Sequence, residues 1–375
     1  MKTKHSGARF SAIVGIGEKL TRLEEETGEK YLRLNRGLPS VTNIDLSEVI
    51  PLIDFNSPKV KVYPANSGLP ELRSAINKYY FQEKTSDDNI FITAGGMNAL
   101  DLVFKTLDVE KVYLPEFFWG AYGHIAKINK VESDSYLTFD EVRNNIEKYK
   151  GSGILICDPN NPIGDKYDDE MLLDFVEELN ANDIAIIWDS PYRKIFFGED
   201  DDFYAKLSKF ENVIIVESFS KSVGLSGQRL GFVHTINKEF NTELNINILY
   251  VTNGINAFAQ VLVEKILTSP EGQAAAKEFR RKTIEDMNKN IELLRNENLL
   301  AEEFYKESTP VGIFVVVNKS EDELLESKIG SVGLSFFTKV SKEYGQKYSR
   351  ICIAVPHEEF KQYFKVYSEK MHYAF

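Results

Sequence analysis

The stretch VIIVESFSKSVGLSGQRLG, residues 213–231, joins an apolar run to a cluster of small and charged side chains. Residues 213–216 are β-branched and apolar, which predicts a buried strand. Lys221 follows this strand directly, eight positions before Arg229. Burial and a cationic neighbour lower the pKa of an amine, and a neutral amine can form a Schiff base. A single lysine is more often a solvated surface charge, so this interpretation depends on the residues that accompany Lys221.

Short apolar runs alternate with segments of helical period between residues 89 and 218. This alternation predicts βαβ units and an α/β fold, and runs that are apolar on both sides of the pleat indicate a sheet covered by helices on both faces. Ligand sites of such sheets lie beyond the carboxyl ends of the strands, so the polar residues that follow each run are the candidates. The predicted strands are 90–93, 112–115, 154–157, 184–188 and 213–216.

The length of 375 residues exceeds the size at which one hydrophobic core usually keeps growing, so a large and a smaller domain are expected. Segments 255–267 and 274–299 have helical period, and the second is predicted to bridge the domains. Runs at 312–317 and 350–355 then return to strand character, which predicts an α+β lobe completed by N-terminal residues. The predicted large domain is 40–275, and the small domain is 1–39 with 276–375.

The charge balance of 45 Lys and Arg against 57 Asp and Glu, a net charge of -12, argues against nucleic-acid and membrane partners. The sequence contains neither a signal-like segment nor an apolar run long enough to span a bilayer, so a cytoplasmic location is expected. Cys157 and Cys352 lie within apolar runs and are expected to be buried. The five histidines lack metal-ligand spacing, so no metal site is predicted.

Asp189 and Tyr192 follow the run 184–188 in the segment WDSPYR. A carboxylate that leaves an apolar strand is costly unless it is paired. A pyridinium nitrogen would be a suitable partner, because the carboxylate keeps that nitrogen protonated and the ring electron-withdrawing. The alternative for Asp189 is a helix N-cap. The turn DPNNPIG, residues 158–164, follows another strand and by itself indicates only a turn.

The segment TAGGMNAL, residues 93–100, leads from a predicted strand into a helix through Gly95 and Gly96. Backbone N–H groups at the positive end of a helix bind phosphate. Paired glycines in a βα turn also occur where only tight packing is needed.

The order and spacing of these motifs resemble the aminotransferase class I/II family of fold-type I pyridoxal 5′-phosphate enzymes, over about residues 35 to 355. The resemblance implies an aspartate-aminotransferase-like fold, with a mostly parallel mixed sheet flanked by helices in a large domain beside a smaller α+β domain. It implies that Lys221 is the Schiff-base lysine and that Asp189 pairs with the pyridine nitrogen. Asn161 and Tyr192 are implied to hydrogen-bond the phenolic oxygen of the cofactor.

The same resemblance implies a phosphate site for the cofactor. The implied contacts are the backbone of Gly95, Gly96 and Met97 with the side chains of Ser218 and Arg229. The Gly96-Met97 pair is less common in this position of the family.

The segment YPANSGLPELR, residues 63–73, resembles the block in which a tyrosine reaches the neighbouring subunit's cofactor phosphate, so Tyr63 implies a homodimer. Phe117 stands where the family places the aromatic ring that stacks on the cofactor, and Trp119 is the alternative. Arg350 matches the arginine that grips the substrate α-carboxylate.

Gly37 matches the glycine of the N-terminal substrate strand, and Asn161 is a further expected substrate contact. The implied reaction transfers an amino group from an α-amino acid to a 2-oxo acid, with Lys221, Tyr192 and Asp189 as catalytic residues. Segment 249–260 lacks the arginine of aspartate-specific members, which argues against a simple aspartate aminotransferase and leaves donor and acceptor open.

Three other functions are weighed against aminotransfer. A lyase, decarboxylase or cyclase on the same scaffold stays open, because the fate of the substrate after loss of its α-proton depends on residues outside these motifs. A serine acylase with Ser218 and Lys221 as its Ser-x-x-Lys pair would need a Lys-Thr-Gly motif, which the chain lacks. A sensor module of a transcription regulator is disfavoured by the negative charge and by the lack of a recognisable DNA-binding segment.

Overall fold

The computed structural model describes residues 1–198 and 200–372. Its centre is a seven-stranded sheet in which neighbours are parallel, except that Gly231–His234 runs antiparallel to both of its neighbours. The predicted α/β fold with a mostly parallel mixed sheet is confirmed. The strands in spatial order are Ile90–Thr93, Gly231–His234, Val213–Ser218, Ala185–Asp189, Gly153–Cys157, Lys111–Pro115 and Glu132–Tyr136.

The five predicted strands all form, with bounds shifted by at most two residues. The central strands Gly153–Cys157 and Val213–Ser218 are buried along their whole length, because helices cover both faces of the sheet. The strand Glu132–Tyr136 was not predicted, because it is a polar edge strand that pairs only with Lys111–Pro115 and carries no apolar run.

Helices cover the sheet and extend around it, and the predicted helical segments near 255–267 and 274–299 are confirmed with bounds shifted by a few residues. The helices are Ala12–Thr27, Pro58–Lys61, Pro70–Phe81, Gly96–Thr106, Ala121–Ile128, Phe139–Asn144, Asp169–Ala181, Arg193–Phe196, Phe203–Leu207, Phe219–Ser222, Lys238–Thr252, Ala257–Thr268, Pro270–Asn296, Glu321–Glu326, Lys342–Gly345 and His357–His372. None of the described helices is long and apolar enough to cross a bilayer.

A second, three-stranded antiparallel sheet lies in the last part of the chain, with strand order Phe314–Val317, Ser349–Cys352 and Val332–Gly333. Residues near the N-terminus join this part, since Leu32–Arg33 pairs in parallel with Ile329–Gly330. The boundary expected near residue 275 falls inside the helix Pro270–Asn296, and the division into 40–275 and 1–39 with 276–375 stays a prediction.

The turn 158–164 is held against the second sheet. Strand Asp165–Lys166 pairs with Thr309–Pro310, and the Gly312 N–H donates to the Gly164 carbonyl at 2.7 Å. Gly164 has a φ of +77°, and a Cβ atom there would lie 1.8 Å from the Phe314 carbonyl oxygen, so only glycine fits. This contact brings residues of the large sheet beside the strand that carries Arg350.

Candidate active site

Lys221 lies in the helical turn Phe219–Ser222 that follows strand Val213–Ser218. The turn is capped by Ser218, whose Oγ accepts a hydrogen bond from the Ser220 N–H at 3.3 Å. The Lys221 ammonium donates to the Gly37 carbonyl oxygen. Burial lowers the pKa of Lys221 to about 8, and the charge of Arg229 acts in the same direction. The pKa is therefore lowered by the two causes that the sequence suggested, and much more of the amine is neutral near physiological pH than for a solvated lysine.

Asp189 ends strand Ala185–Asp189 and is buried. Its Oδ2 accepts a hydrogen bond from the Tyr122 hydroxyl, and burial raises the pKa of the carboxyl to about 7. Within the described part of the chain, no basic side chain lies within 4 Å of this carboxyl. Asp189 caps no helix, so it can serve as an acceptor for a protonated ring nitrogen. Tyr122 was not predicted, because no motif marks its hydroxyl as facing the strand.

Asn161, Tyr192 and Arg350 form one hydrogen-bonded group. The Asn161 amide donates to the Tyr192 hydroxyl at 3.2 Å, and the Arg350 guanidinium donates to Asn161 Oδ1 at 3.1 Å. All three side chains are buried, and burial raises the pKa of Tyr192 well above its usual value. Residues that are far apart in the sequence are thus brought together as the predicted constellation requires.

Arg350 is a buried cation between two aromatic rings. It is 1% exposed, and its guanidinium carbon lies 4.2 Å and 4.7 Å from the ring centres of Phe314 and Phe337. Burial lowers the pKa of Arg350 to about 10, and none of the described residues is a hydrogen-bond partner of its Nε. No carboxylate of residues 1–198 or 200–372 lies within 4 Å of the guanidinium. A buried charge without a counter-ion is costly, so the site fits the carboxylate of a bound molecule.

Gly37 lies where the N-terminal segment approaches this group. A Cβ atom at Gly37 would lie 2.2 Å from the Phe314 ring, so any larger residue would have to displace that ring. Its carbonyl oxygen accepts the hydrogen bond from Lys221. Gly37 was expected in a strand but lies in an irregular segment beyond the strand Leu32–Arg33, and this segment is in direct contact with the predicted lysine.

Gly95, Gly96, Ser218 and Arg229 come together at the N-terminus of helix Gly96–Thr106. Gly95 has a φ of +84°, and a Cβ atom on it would lie 2.7 Å from Arg229 Nη2. A Cβ atom on Gly96 is 3.3 Å from the Cβ of Ser218. The two glycines thus keep open a cradle lined by a hydroxyl, a guanidinium and free helix N–H groups, which fits a phosphate.

Two further residues complete the description of this cradle. Arg229 Nη1 donates to the Ser220 hydroxyl at 3.3 Å, and the Ser220 and Ser218 hydroxyls are 3.0 Å apart. Ser220 lies within the quoted motif but was not predicted as a site residue. The Met97 side chain is exposed, which leaves its backbone N–H in the first helical turn as the predicted contact.

Phe117 and Trp119 have different surroundings. The Phe117 ring packs 5.8 Å from that of Phe304, and its backbone pairs with Thr338. The Trp119 indole is half-buried and meets the Tyr122 ring edge-on at 5.5 Å. Trp119 is therefore linked through Tyr122 to Asp189, whereas these contacts tie Phe117 to the segment around Phe304.

Tyr63 lies apart from the other predicted residues, on the surface. Its side chain is 84% exposed, next to the exposed Val62. An exposed tyrosine is able to reach a neighbouring subunit. The role of Tyr63 in that subunit's site stays a prediction, because the structure contains one chain.

Comparison with known proteins places this site in a family. The model of aminotransferase class I and II matches residues 34–365. A probable aspartate aminotransferase of Methanocaldococcus jannaschii is 27% identical over 324 residues, 80% of this chain and 83% of that protein. A histidinol-phosphate aminotransferase of Brachyspira hyodysenteriae is 28% identical over 81% of this chain and 88% of that protein.

The solved structure of a Thermus thermophilus aspartate aminotransferase with maleate shares the fold, with a TM-score of 0.84 at 19% identity over 98% of this chain and 100% of that one. The family match covers nearly the whole chain, and the fold agrees with it. The chain belongs to the aminotransferase class I and II family.

Proposed function

We propose that this aminotransferase uses pyridoxal 5′-phosphate to move the amino group of an α-amino acid onto a 2-oxo acid. The observation that carries the proposal is that Lys221 and Asp189 lie at the carboxyl ends of two neighbouring parallel strands, with the cradle at Gly95, Ser218 and Arg229 beside the strand that precedes Lys221. Relatives named for aspartate and histidinol phosphate support amino transfer without deciding the donor.

These residues fit the cofactor. Asp189 would hold the ring nitrogen, Asn161 and Tyr192 the phenolic oxygen, and the cradle the phosphate. When bound, pyridoxal phosphate supplies an aldehyde that exchanges amines and a ring that withdraws electrons from the substrate carbon. Tyr122 keeps the Asp189 carboxyl oriented through its hydrogen bond.

Lys221 has the properties of a tether and a base. Its lowered pKa of about 8 provides neutral amine for bond formation with an aldehyde. Once released by the incoming substrate, the same amine can accept the proton of the substrate α-carbon and deliver it to the cofactor side. The Gly37 carbonyl orients the amine in the present structure.

Arg350 would bind the α-carboxylate of donor and acceptor. Its guanidinium is buried, lacks a carboxylate partner among the described residues and has an unpartnered Nε. A bidentate carboxylate would satisfy the charge and fix the substrate α-carbon near Lys221.

Trp119, rather than Phe117, is proposed as the ring that stacks on the cofactor. Trp119 contacts Tyr122, the hydrogen-bond partner of Asp189, so its indole lies beside the group that would hold the ring nitrogen. The contacts of Phe117 with Phe304 and Thr338 favour a packing role.

A homodimer is proposed from exposed apolar residues on two neighbouring segments. The segments touch each other, because a Cβ atom on Gly254 would lie 3.2 Å from Pro64. Contiguous exposed apolar surface marks an interface, and a symmetric pair would bury it while placing Tyr63 near the partner's site. A cytoplasmic location stays a prediction from the sequence. The exposed residues are Val62, Tyr63, Ile246, Tyr250 and Val251.

A panel of amino acids with a 2-oxo acid acceptor tests the proposed reaction. We expect a 2-oxo acid from the donor and a new amino acid from the acceptor, in equal amounts and with ping-pong kinetics. Release of ammonia and a 2-oxo acid without any acceptor would replace aminotransfer by lyase chemistry. Lys206→Ala, at an exposed lysine, serves as the control for Lys221→Ala.

A further inference from the structure

A cavity of about 590 Å³ opens at the carboxyl ends of strands Lys111–Pro115, Glu132–Tyr136 and Gly153–Cys157. Its lining contains neither Lys221 nor Arg350. It adjoins the proposed active site, because Asn160, which precedes the proposed site residue Asn161 in the chain, is part of its lining. The cavity is thus a separate space with surroundings of its own.

The cavity is strongly acidic. Seven carboxylate side chains line it, against the single cation Arg143. Arg143 is shared between two carboxylates, since its Nη1 lies 3.7 Å from Asp140 Oδ1 in the cavity wall and its Nε lies 3.1 Å from a Glu178 oxygen outside the cavity. The electrostatic potential inside therefore favours a cation and disfavours the anionic substrates and cofactor of the proposed active site.

Asp165 has an unsatisfied acceptor in this cavity. The residue is 6% exposed, and among the described atoms its Oδ1 accepts no hydrogen bond. The neighbouring Asp158 differs, because the Lys166 ammonium lies 3.2 Å from it and the Tyr167 N–H donates to it at 3.0 Å. No Lys or Arg of the described chain lies within 4 Å of the Asp165 carboxyl.

The pKa of Asp165 also reflects the lack of a basic neighbour in the described chain. Burial, together with the nearby charge of Asp158, raises it to about 7. The Tyr167 hydroxyl also interacts with this carboxyl, and Oδ1 still has no hydrogen-bond partner among the described atoms. A buried carboxyl oxygen of this kind is satisfied by a donor that carries positive charge.

Aromatic rings provide flat surfaces beside Asp165. The Phe139 ring lies 5.0 Å from that of Tyr167 and 6.2 Å from that of Tyr136, and all three line the cavity. Planar cations gain from contact with aromatic faces, while a carboxylate prefers paired N–H donors. The described residues contain no group of three or more ligands suited to a metal ion.

We propose that this cavity binds a small organic cation with a planar amidinium or guanidinium head, whose N–H groups donate to Asp165 and whose faces contact Phe139 and Tyr167. The ligand is thus distinct in charge from the amino and 2-oxo acids of the proposed reaction. A quaternary ammonium ion lacks the donors for Asp165 and would bind less well.

Calorimetric titration of the holoenzyme with benzamidine tests this proposal. The amidinium of benzamidine is a poor partner for exchange at an aldehyde, and benzamide is a neutral molecule of nearly the same shape. We expect saturable binding of benzamidine and at least about tenfold weaker binding of benzamide. Asp165→Asn should weaken benzamidine binding by about tenfold or more, the size of one lost charge-assisted hydrogen bond.

A second pair of variants decides the outcome if Asp165→Asn does not fold. Glu307 is exposed and lines the cavity, whereas Glu302 is exposed on the preceding turn and does not line it. Glu307→Gln should weaken benzamidine binding about two- to fivefold, as expected for an exposed charge, and Glu302→Gln should leave it unchanged. The proposal is overturned if benzamidine does not bind at millimolar concentration, if benzamide binds equally well, or if binding is the same in every folded variant of Asp165 and Glu307.

Discussion

Replacing Arg350 by glutamine should separate activity from stability. The proposed contact with a substrate carboxylate is a pair of charge-assisted hydrogen bonds, each contributing about 1.5–3 kcal/mol. Loss of both corresponds to a decrease in kcat/KM of about 10² to 10⁴ for amino acids and 2-oxo acids. Glutamine ends at the position of the arginine Nε and does not reach Asn161 Oδ1, so that hydrogen bond is lost, whereas the donation from the Asn161 amide to Tyr192 should survive.

The effect of the same substitution on stability should be small. The lowered pKa of Arg350, about 10, corresponds to about 3 kcal/mol by which burial disfavours the charged form in the folded state. Removing the charge removes this penalty. The loss of the hydrogen bonds to the Asn35 carbonyl and to Asn161 Oδ1, together with the contacts to two aromatic rings, offsets the gain at similar size. We expect the free energy of unfolding to change by less than about 2 kcal/mol.

The assay compares two kinds of amino donor in steady-state kinetics, an amino acid and the amine that lacks its carboxylate. The substitution should lower kcat/KM for the amino acid and leave the slow reaction of the amine almost unchanged. Arg295→Gln, at an exposed arginine paired with Glu302, is the matched control. A loss of less than about fivefold for the amino acid, or an equal loss for both donors, would show that Arg350 does not bind the α-carboxylate.

Three further predictions concern the rest of the site. Tyr122→Phe removes the hydrogen bond that lowers the pKa of Asp189, so the carboxyl should titrate at a higher pH. The half-reaction with an amino acid should then slow about tenfold at neutral pH and recover in part at higher pH. Rapid mixing at several pH values measures this rate, and a uniform loss at all pH values would contradict the coupling between Tyr122 and Asp189. The rate at which the apoenzyme takes up pyridoxal phosphate should rise with pH and level off above about 8, because the Lys221 amine is protonated below its pKa and nucleophilic above it. A rate that is the same at pH 6 and about 9 would refute this pKa for Lys221. Tyr250 is 83% exposed in one chain, so Tyr250→Asp should disrupt the proposed dimer interface. We expect sedimentation to shift toward the monomer and cofactor binding to weaken in the same variant. A dimer of unchanged stability would place the interface elsewhere.

The strands and the residues at their ends were predictable because buried parallel strands consist of apolar β-branched runs. Lys221 and Asp189 each follow such a run, so their position at one edge of the sheet follows from topology. The polar edge strand Glu132–Tyr136 carries no such pattern and was missed.

The contacts across the site depend on tertiary packing that periodicity does not contain. Tyr122 reaches Asp189 from a helix whose sequence looks ordinary, and the choice between Phe117 and Trp119 depends on a few ångströms of packing. That Arg350 has no carboxylate partner among the described residues is likewise visible only once its neighbours are in place. Motif order was therefore sufficient for the family, and geometry was needed for individual roles.

Borohydride reduction of the holoenzyme followed by peptide mass spectrometry tests the attachment of the cofactor most directly, because reduction makes a lysine-bound pyridoxal phosphate permanent. We predict that the modified peptide contains Lys221 and that Lys221→Ala loses both this adduct and the visible absorbance of the bound cofactor. An adduct on another lysine of the untreated protein, or full visible absorbance in Lys221→Ala, would contradict the role assigned to Lys221.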